Sequence, residues 1–351
     1  MTKFNFISIK YSLISFALLF FINSFSQVSI GPRHVGKSKK FPKERLGKFK
    51  NTETIFVLSD IIDTETYEKL LSDSWDITSY QLVKREDFNL LNYLDGNYSF
   101  ANLEGYHKQK QMKSGAIVDY IYIYINFFML DNEGLKKDIK KLDPESKKYE
   151  RKLNKAISSN RENIARVDLF PKDTFLPTAL SSDTSVIMDS IYSRDVFYNY
   201  KSGFLKNYFQ KVNDQLKTGE EYWMYDNDYL PELKNLSKQT LYIPNYHLIK
   251  YNPWKMTAKE DKDDFKDTFD SYDYKFEFQD EDEIDRRILA GEEFYYLRFV
   301  RVNSQKFIHI VNSKTGEIVY RNYVAGMLSS YNLKKRHVKD INSHIKKALK
   351  K

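Results

Sequence analysis

"TETIFVLSDIIDTETYEKLLSDSWDITSYQLV", residues 52–83, decides the fold class. "TETIFVL" (52–58) is a short β-rich apolar run bounded by turn residues, the mark of a buried strand. In "TETYEKLLSDSW" (64–75), Tyr67, Leu70, Leu71 and Trp75 recur at helical spacing. "ITSYQLV" (77–83) then alternates as a second strand. A strand, a helix and a strand in succession predict an α/β sheet.

Outward from that unit, "REDFNLLNYL" (85–94) reads as a second helix with acids in its first turn, stopped by Gly96. "NYSFANLEGY" and "IVDYIYIYINFFML" read as an antiparallel pair. "NIARVDLF" (163–170) adds a strand, and a helix is expected around "FLKNYFQKVNDQL" (204–216).

The same order returns. "QTLYIP" (239–244) matches the first strand, and "KDDFKDTFDSYDYKFEF" (262–278) the first helix and second strand. In that match Phe269 stands five residues before Tyr274, as Trp75 stands five before Tyr80. "EDEIDRRILAG" (281–291), "EEFYYLRFVRV", "QKFIHIVN", "GEIVYRNY" (316–323) and a closing helix in "LKKRHVKDINSHIKKALKK" complete the series. Ile345 and Leu349 of that helix are expected to face inward. The fold expected is α/β (or α+β), with two related β-α-β-α-β-β-β-α units and mixed sheets. The first unit spans 51–217, a connector 218–235, and the second unit 236–351. Residues 133–164 form a charged insertion in the first unit, expected as a helical hairpin turning near Pro144.

This two-unit pattern, carried by "TETIFVL…YEKLL…W…SYQLV" and "KFIHIVNSKTGEIVYRNY", resembles uncharacterised secreted proteins of Gram-negative bacteria. The resemblance implies export and tandem α/β units. It lends no activity and no catalytic residues.

The first residues carry an address. Lys3 and Lys10 precede the apolar run "YSLISFALLFFI" (11–22), and Ser24 and Ser26 occupy the −3 and −1 places of a cleavage site. This is the layout of a signal peptide, with cleavage expected between Ser26 and Gln27. The run is shorter than the roughly 20 residues of a membrane span. The expected location is the periplasm or the cell exterior, with no stable membrane span after cleavage.

The chain of 351 residues has a net charge of +8, which becomes +6 without residues 1–26. Its hydrophobic fraction of 41% permits a large core. It contains no cysteine, which removes disulfides, thiol nucleophiles and Cys-based zinc sites. Basic residues are spread out, without a nucleic-acid-binding signature.

"GPRHVGKS" (31–38) fits G-x-x-x-x-G-K-[ST] at each fixed position. A working P-loop needs a buried strand before it and a helix starting at its Gly-Lys-Ser end. Pro42 would fall in the second turn of that helix, and the strand would have to come from the signal peptide. Residues 27–50 are therefore read as a basic linker.

Other chemistry is equally thin. The six histidines form no H-E-x-x-H pair, and His309, inside "KFIHIVN", is expected on the solvent side of a strand. No G-x-S-x-G elbow occurs. "DNDYLPEL" (226–233) lacks the glycine of a calcium loop. No catalytic residue, cofactor or metal is assigned.

The candidate ligand or partner surface is the aromatic connector "EEYWMYDNDYLPEL", with Tyr222, Trp223, Tyr225 and Tyr229, together with Trp254 in "KYNPWKM". Rings among acids and amides suit a sugar or a peptide, and equally suit a packed seam between the halves. The functional expectation is a non-catalytic binding or scaffold protein whose partner is an envelope glycan or protein. An envelope carbohydrate or peptidoglycan hydrolase using dispersed carboxylates is the alternative.

Overall fold

The computed structural model describes residues 27–34, 39–113, 115, 117–181, 183–252, 255, 257–326 and 331–350. The expected signal peptide, Trp254 and the end of the P-loop match lie outside these residues.

The first sheet is built from β1 (Val28–Ile30), β2 (Glu53–Leu58), β3 (Ser79–Lys84), β4 (Tyr98–Gln111), β5 (Ile117–Leu130) and β6 (Arg161–Asp168). Its order is β1-β6-β5-β4-β2-β3. The second is built from β7 (Asp228–Tyr229), β8 (Leu241–Pro244), β11 (Phe276–Gln279), β12 (Tyr295–Val302), β13 (Gln305–Asn312) and β14 (Ile318–Val324). Its order is β11-β8-β12-β13-β14-β7. Read from the edge β3 or β11, the two orders are the same. The directions agree as well. β2 is parallel to β3 and β4, as β8 is to β11 and β12, and every other neighbouring pair is antiparallel.

The irregularities agree too. β5 shifts register against β6 between Phe127 and Phe128, and β13 against β14 between Ile310 and Val311. A bulge re-aims a strand and stays in place when a unit is copied. The fold is mixed α/β, made of two related units. Each unit also begins with a short edge strand, β1 or β7, that the expected element string lacked.

The fixed bulge corrects one detail of the match. Aligned on it, Tyr80, opposite Thr54, corresponds to Phe276, opposite Leu241, and not to Tyr274. Phe269 and Trp75 are buried alike at 0% and 3% exposure, but Trp75 follows its helix by three residues whereas Phe269 is the last residue of its own.

Most helices fall where the periodicity placed them. α2 (Thr64–Ser72) buries Tyr67, Leu70 and Leu71 and is capped by Asp63, whose carboxylate accepts from Thr66 N. The charged insertion is the hairpin α3 (Asn132–Ile139) and α4 (Tyr149–Ser159). Three expectations change. "REDFNLLNYL" forms two 3₁₀ segments, Arg85–Asp87 and Leu90–Tyr93, because Phe88 and Asn89 take extended angles between them. The "linker" holds β1 and the helix α1 (Lys43–Lys50). Leu349 is 50% exposed as the final residue of the last helix, whereas Ile345 is buried. The helices α5 (Leu176–Ser181) and α6 (Thr184–Ser193) were not expected at all.

The units are joined through α7 (Ser202–Thr218). Phe209 packs edge-on against Phe56 and Phe127 of the first sheet. Phe204 packs against Tyr296 of the second, and Asn207 accepts from the Tyr296 hydroxyl at 2.9 Å. Lys206 and Lys211 are buried on this helix and pair with Asp73 and Glu317, one partner in each unit. A helix buried nearly all round is a core element of both units. The larger apolar core accordingly contains Ile284, Ile288, Val311 and Ile318 of the second unit. α8 (Lys262–Phe269), α9 (Glu281–Leu289) and α10 (Lys335–Leu349) complete the second unit, with a separate hairpin of β9 (Ile249–Asn252) and β10 (Thr257–Glu260).

Candidate functional site

The connector aromatics lie where the two sheets meet. Tyr222 and Trp223 are 8% and 9% exposed. Tyr222 bridges to Ile30 at the edge of the first sheet, and its ring is engaged by two cations, Lys211 at 4.4 Å and Arg321 at 4.2 Å. Tyr225 packs against Trp223, Phe307 and Tyr323. Tyr229 lies in β7 opposite Tyr320 and stands edge-on to His344. These four rings are packed by the protein itself. Trp254 is outside the described residues.

A hollow of about 190 Å³ opens elsewhere along the seam. Its first-unit wall is Asp119, Ile121 and Ile123 of β5, then Leu169, Phe170 and Pro171 after β6, with Leu176 and Leu180 on α5. Its second-unit wall is Tyr251 of β9, Arg301 and Val302 at the end of β12, Asn303 and Tyr331. The β12–β13 turn holds the walls together. Asn303 takes a left-handed φ of 55°, and its Oδ1 accepts from Ile121 N at 2.9 Å across the seam. Asn tolerates that conformation better than most residues.

Arg301 and Asp173 form an ion pair between the units, with side chains 5% and 4% exposed. Burial pushes the Asp173 carboxyl up, and Arg301 pulls it back. The Tyr198 hydroxyl donates to Asp173 Oδ2 at 3.4 Å. The Arg301 guanidinium lies against the rings of Tyr251 at 4.4 Å, Phe170 at 5.2 Å and Tyr331 at 5.5 Å. A separate, more open hollow of about 510 Å³ lies between Lys172, Tyr198, Lys201, Tyr246 and Glu260. The seam thus offers a largely apolar slot with two charged side chains on its wall, Arg301 and Asp119. Such a slot grips an apolar or aromatic body and orients its polar end.

P-loop geometry is absent among the described residues. β1 does precede the motif, which corrects the expectation that only the signal peptide could supply a strand. It is, however, an edge strand antiparallel to its neighbour, and the next helix starts at Lys43, after Pro42. His309 is fully buried, contrary to the expected solvent side, because β13 is covered on both faces. His34 and His247 are also buried, and burial lowers each to about 3. Among the described residues, no three His, Asp or Glu side chains converge as metal ligands.

The sequence reading missed the seam residues. The available signal was "YYLRFVRV", where Arg298 and Arg301 interrupt a strand otherwise fit for full burial. A charge there demands a partner from another element.

No known protein-family pattern matches this chain, and no curated protein matches it significantly.

Proposed function

We propose that this chain is an exported, non-catalytic binding or scaffold protein of the periplasm or the cell exterior, with its signal segment removed between Ser26 and Gln27. Its ligand enters the slot between Leu180 and Tyr251. The observation that carries this reading is the slot itself: a preformed, largely apolar hollow, walled by both units, with Arg301 on its wall held from behind by Asp173. Its walls supply Tyr hydroxyls, an Asn amide and the Asp119 carboxylate, which His107 holds at 2.7 Å, for orientation of a polar end. The ligand class is an apolar or aromatic group bearing one polar end, as on an amphiphile or an envelope peptide. No helix among the described residues is long and apolar enough to cross a membrane.

The test is titration with anilinonaphthalene sulfonate, an aromatic anion, of the wild type and of Leu180→Trp. Leu180 is half-buried on the slot wall, so a larger ring there fills the hollow. Saturable binding at one site, weakened at least about tenfold in the variant, is expected. Equal binding by both proteins contradicts the reading, as does turnover of peptidoglycan fragments by the wild type.

A further inference from the structure

We infer that the mature chain carries a pyroglutamate at position 27, and that the seam between the two sheets buries this uncharged cap. The inference rests on the export reading, because it needs cleavage before Gln27. Gln27 heads β1 and is 0% exposed. Its carbonyl accepts from Asp168 N at 3.2 Å, and its own backbone N donates to His309 Nε2 at 3.4 Å. Its side-chain Nε2 donates to the Tyr208 hydroxyl at 3.0 Å and to the Asp168 carbonyl, while its Oε1 has no partner. Tyr208 and His309 are themselves 0% exposed. In the uncleaved chain, the residue at the expected cut is therefore one whose backbone nitrogen is buried against His309.

A free α-amino group is protonated near neutral pH, and an ammonium buried here would lack a counter-charge. The nearby Asp168 carboxylate is already held by Arg166 at 2.6 and 2.8 Å. The charges acting on His309 are those of Arg298 and Arg321, both positive. Arg298 is 1% exposed, pairs across strands with His309 and stacks on the Tyr208 ring at 4.3 Å. None of its three nitrogens makes a hydrogen bond. The Tyr296 hydroxyl, which donates to Asn207, keeps its lone pairs beside the guanidinium and is its nearest neutral acceptor. A third cation in this cluster is opposed by both desolvation and repulsion.

Cyclisation removes that charge. The α-amine nitrogen attacks the side-chain Cδ, the N–Cδ bond forms and the Cδ–Nε2 bond breaks. Ammonia leaves with one proton taken from the amine. The step consumes no co-reactant and precedes docking of β1, when the terminus is still accessible. The lactam keeps one N–H, the donor that His309 Nε2 accepts. It gives up the two hydrogen bonds of Nε2 and keeps one carbonyl oxygen, an acceptor in a cluster rich in cations.

The test is the intact mass and terminal peptide of the protein recovered from the cells that make it. A chain beginning at position 27, lighter by one ammonia and without a reactive α-amine, is expected. A chain beginning at position 27 with a free amine overturns the inference and leaves the export reading standing. A terminus elsewhere overturns the cleavage, and the inference with it. Recombinant chains beginning at Gln27, open or cyclised, give the second readout. The cyclised form is expected to melt higher, and equal melting temperatures would show that the seam does not select the cap.

Discussion

Burial of ionisable side chains sets the energetics at the residue scale. Asp173→Ala leaves Arg301 charged and unpaired in the seam, and such a loss costs about 3 to 5 kcal/mol. Denaturant unfolding measures it, and a loss under about 1 kcal/mol would mean that the pair is not buried as described. The histidines give the pH dependence. Burial holds His34, His247 and His337 at about 3, well below their ordinary 6.5. Below pH 6.5 the unfolded chain binds protons that the folded chain refuses. Stability is therefore present above 6.5 and falls as pH drops towards 3, by up to about 1.4 kcal/mol per pH unit for each such histidine. His247→Phe, which keeps a ring against Tyr246, should flatten the unfolding free energy between pH 6.5 and 5. An unchanged slope would place His247 in contact with water. None of this was legible in sequence, because a histidine between apolar neighbours reads the same on a half-exposed strand as on a fully covered one.

The decisive element is α7. Gly203 lies where α7 meets α9: a Cβ there would stand 2.9 Å from the Asp285 carbonyl oxygen and 2.9 Å from Ile288 Cβ. Gly203 N also donates to Asp285 Oδ1 at 2.6 Å. Gly203→Ala must push the helices apart, at a cost of about 1 to 3 kcal/mol by thermal or denaturant unfolding. A neutral result would mean that the helix ends yield freely. Element types in long periodic runs were legible: α2, β4, β5, β12, β13 and the α3–α4 hairpin all follow their patterns. What failed were short elements decided by neighbours. β1 and β7 are three and two residues long and exist only because β6 and β14 offer them an edge. "REDFNLLNYL" has helical spacing, yet its rings serve the sheet: Phe88 and Tyr93 both pack on Phe100. The slot was invisible for a related reason. Its walls come from segments far apart in sequence, and no local pattern reports that they face each other.

The whole molecule is two copies of one sheet topology, sharing a core through α7. Repeats that merely sat side by side would unfold separately, whereas a shared helix couples them. Tryptophan fluorescence, to which the buried Trp75 and Trp223 contribute, and far-ultraviolet circular dichroism should report one coincident transition. Phe209→Ala, which removes the ring touching the first sheet, should lower it as a whole by about 3 to 5 kcal/mol. Two separated transitions would show that each unit is a domain in its own right. Coupled units also make their seam a defined place, and the central claim is that a ligand binds there. Hydrogen–deuterium exchange with and without anilinonaphthalene sulfonate tests this most directly. The account expects slower exchange in 119–123, 169–180 and 301–303, the segments that wall the slot. Protection confined to 222–229, with the slot segments unchanged, would contradict it and return the ligand to the aromatic connector.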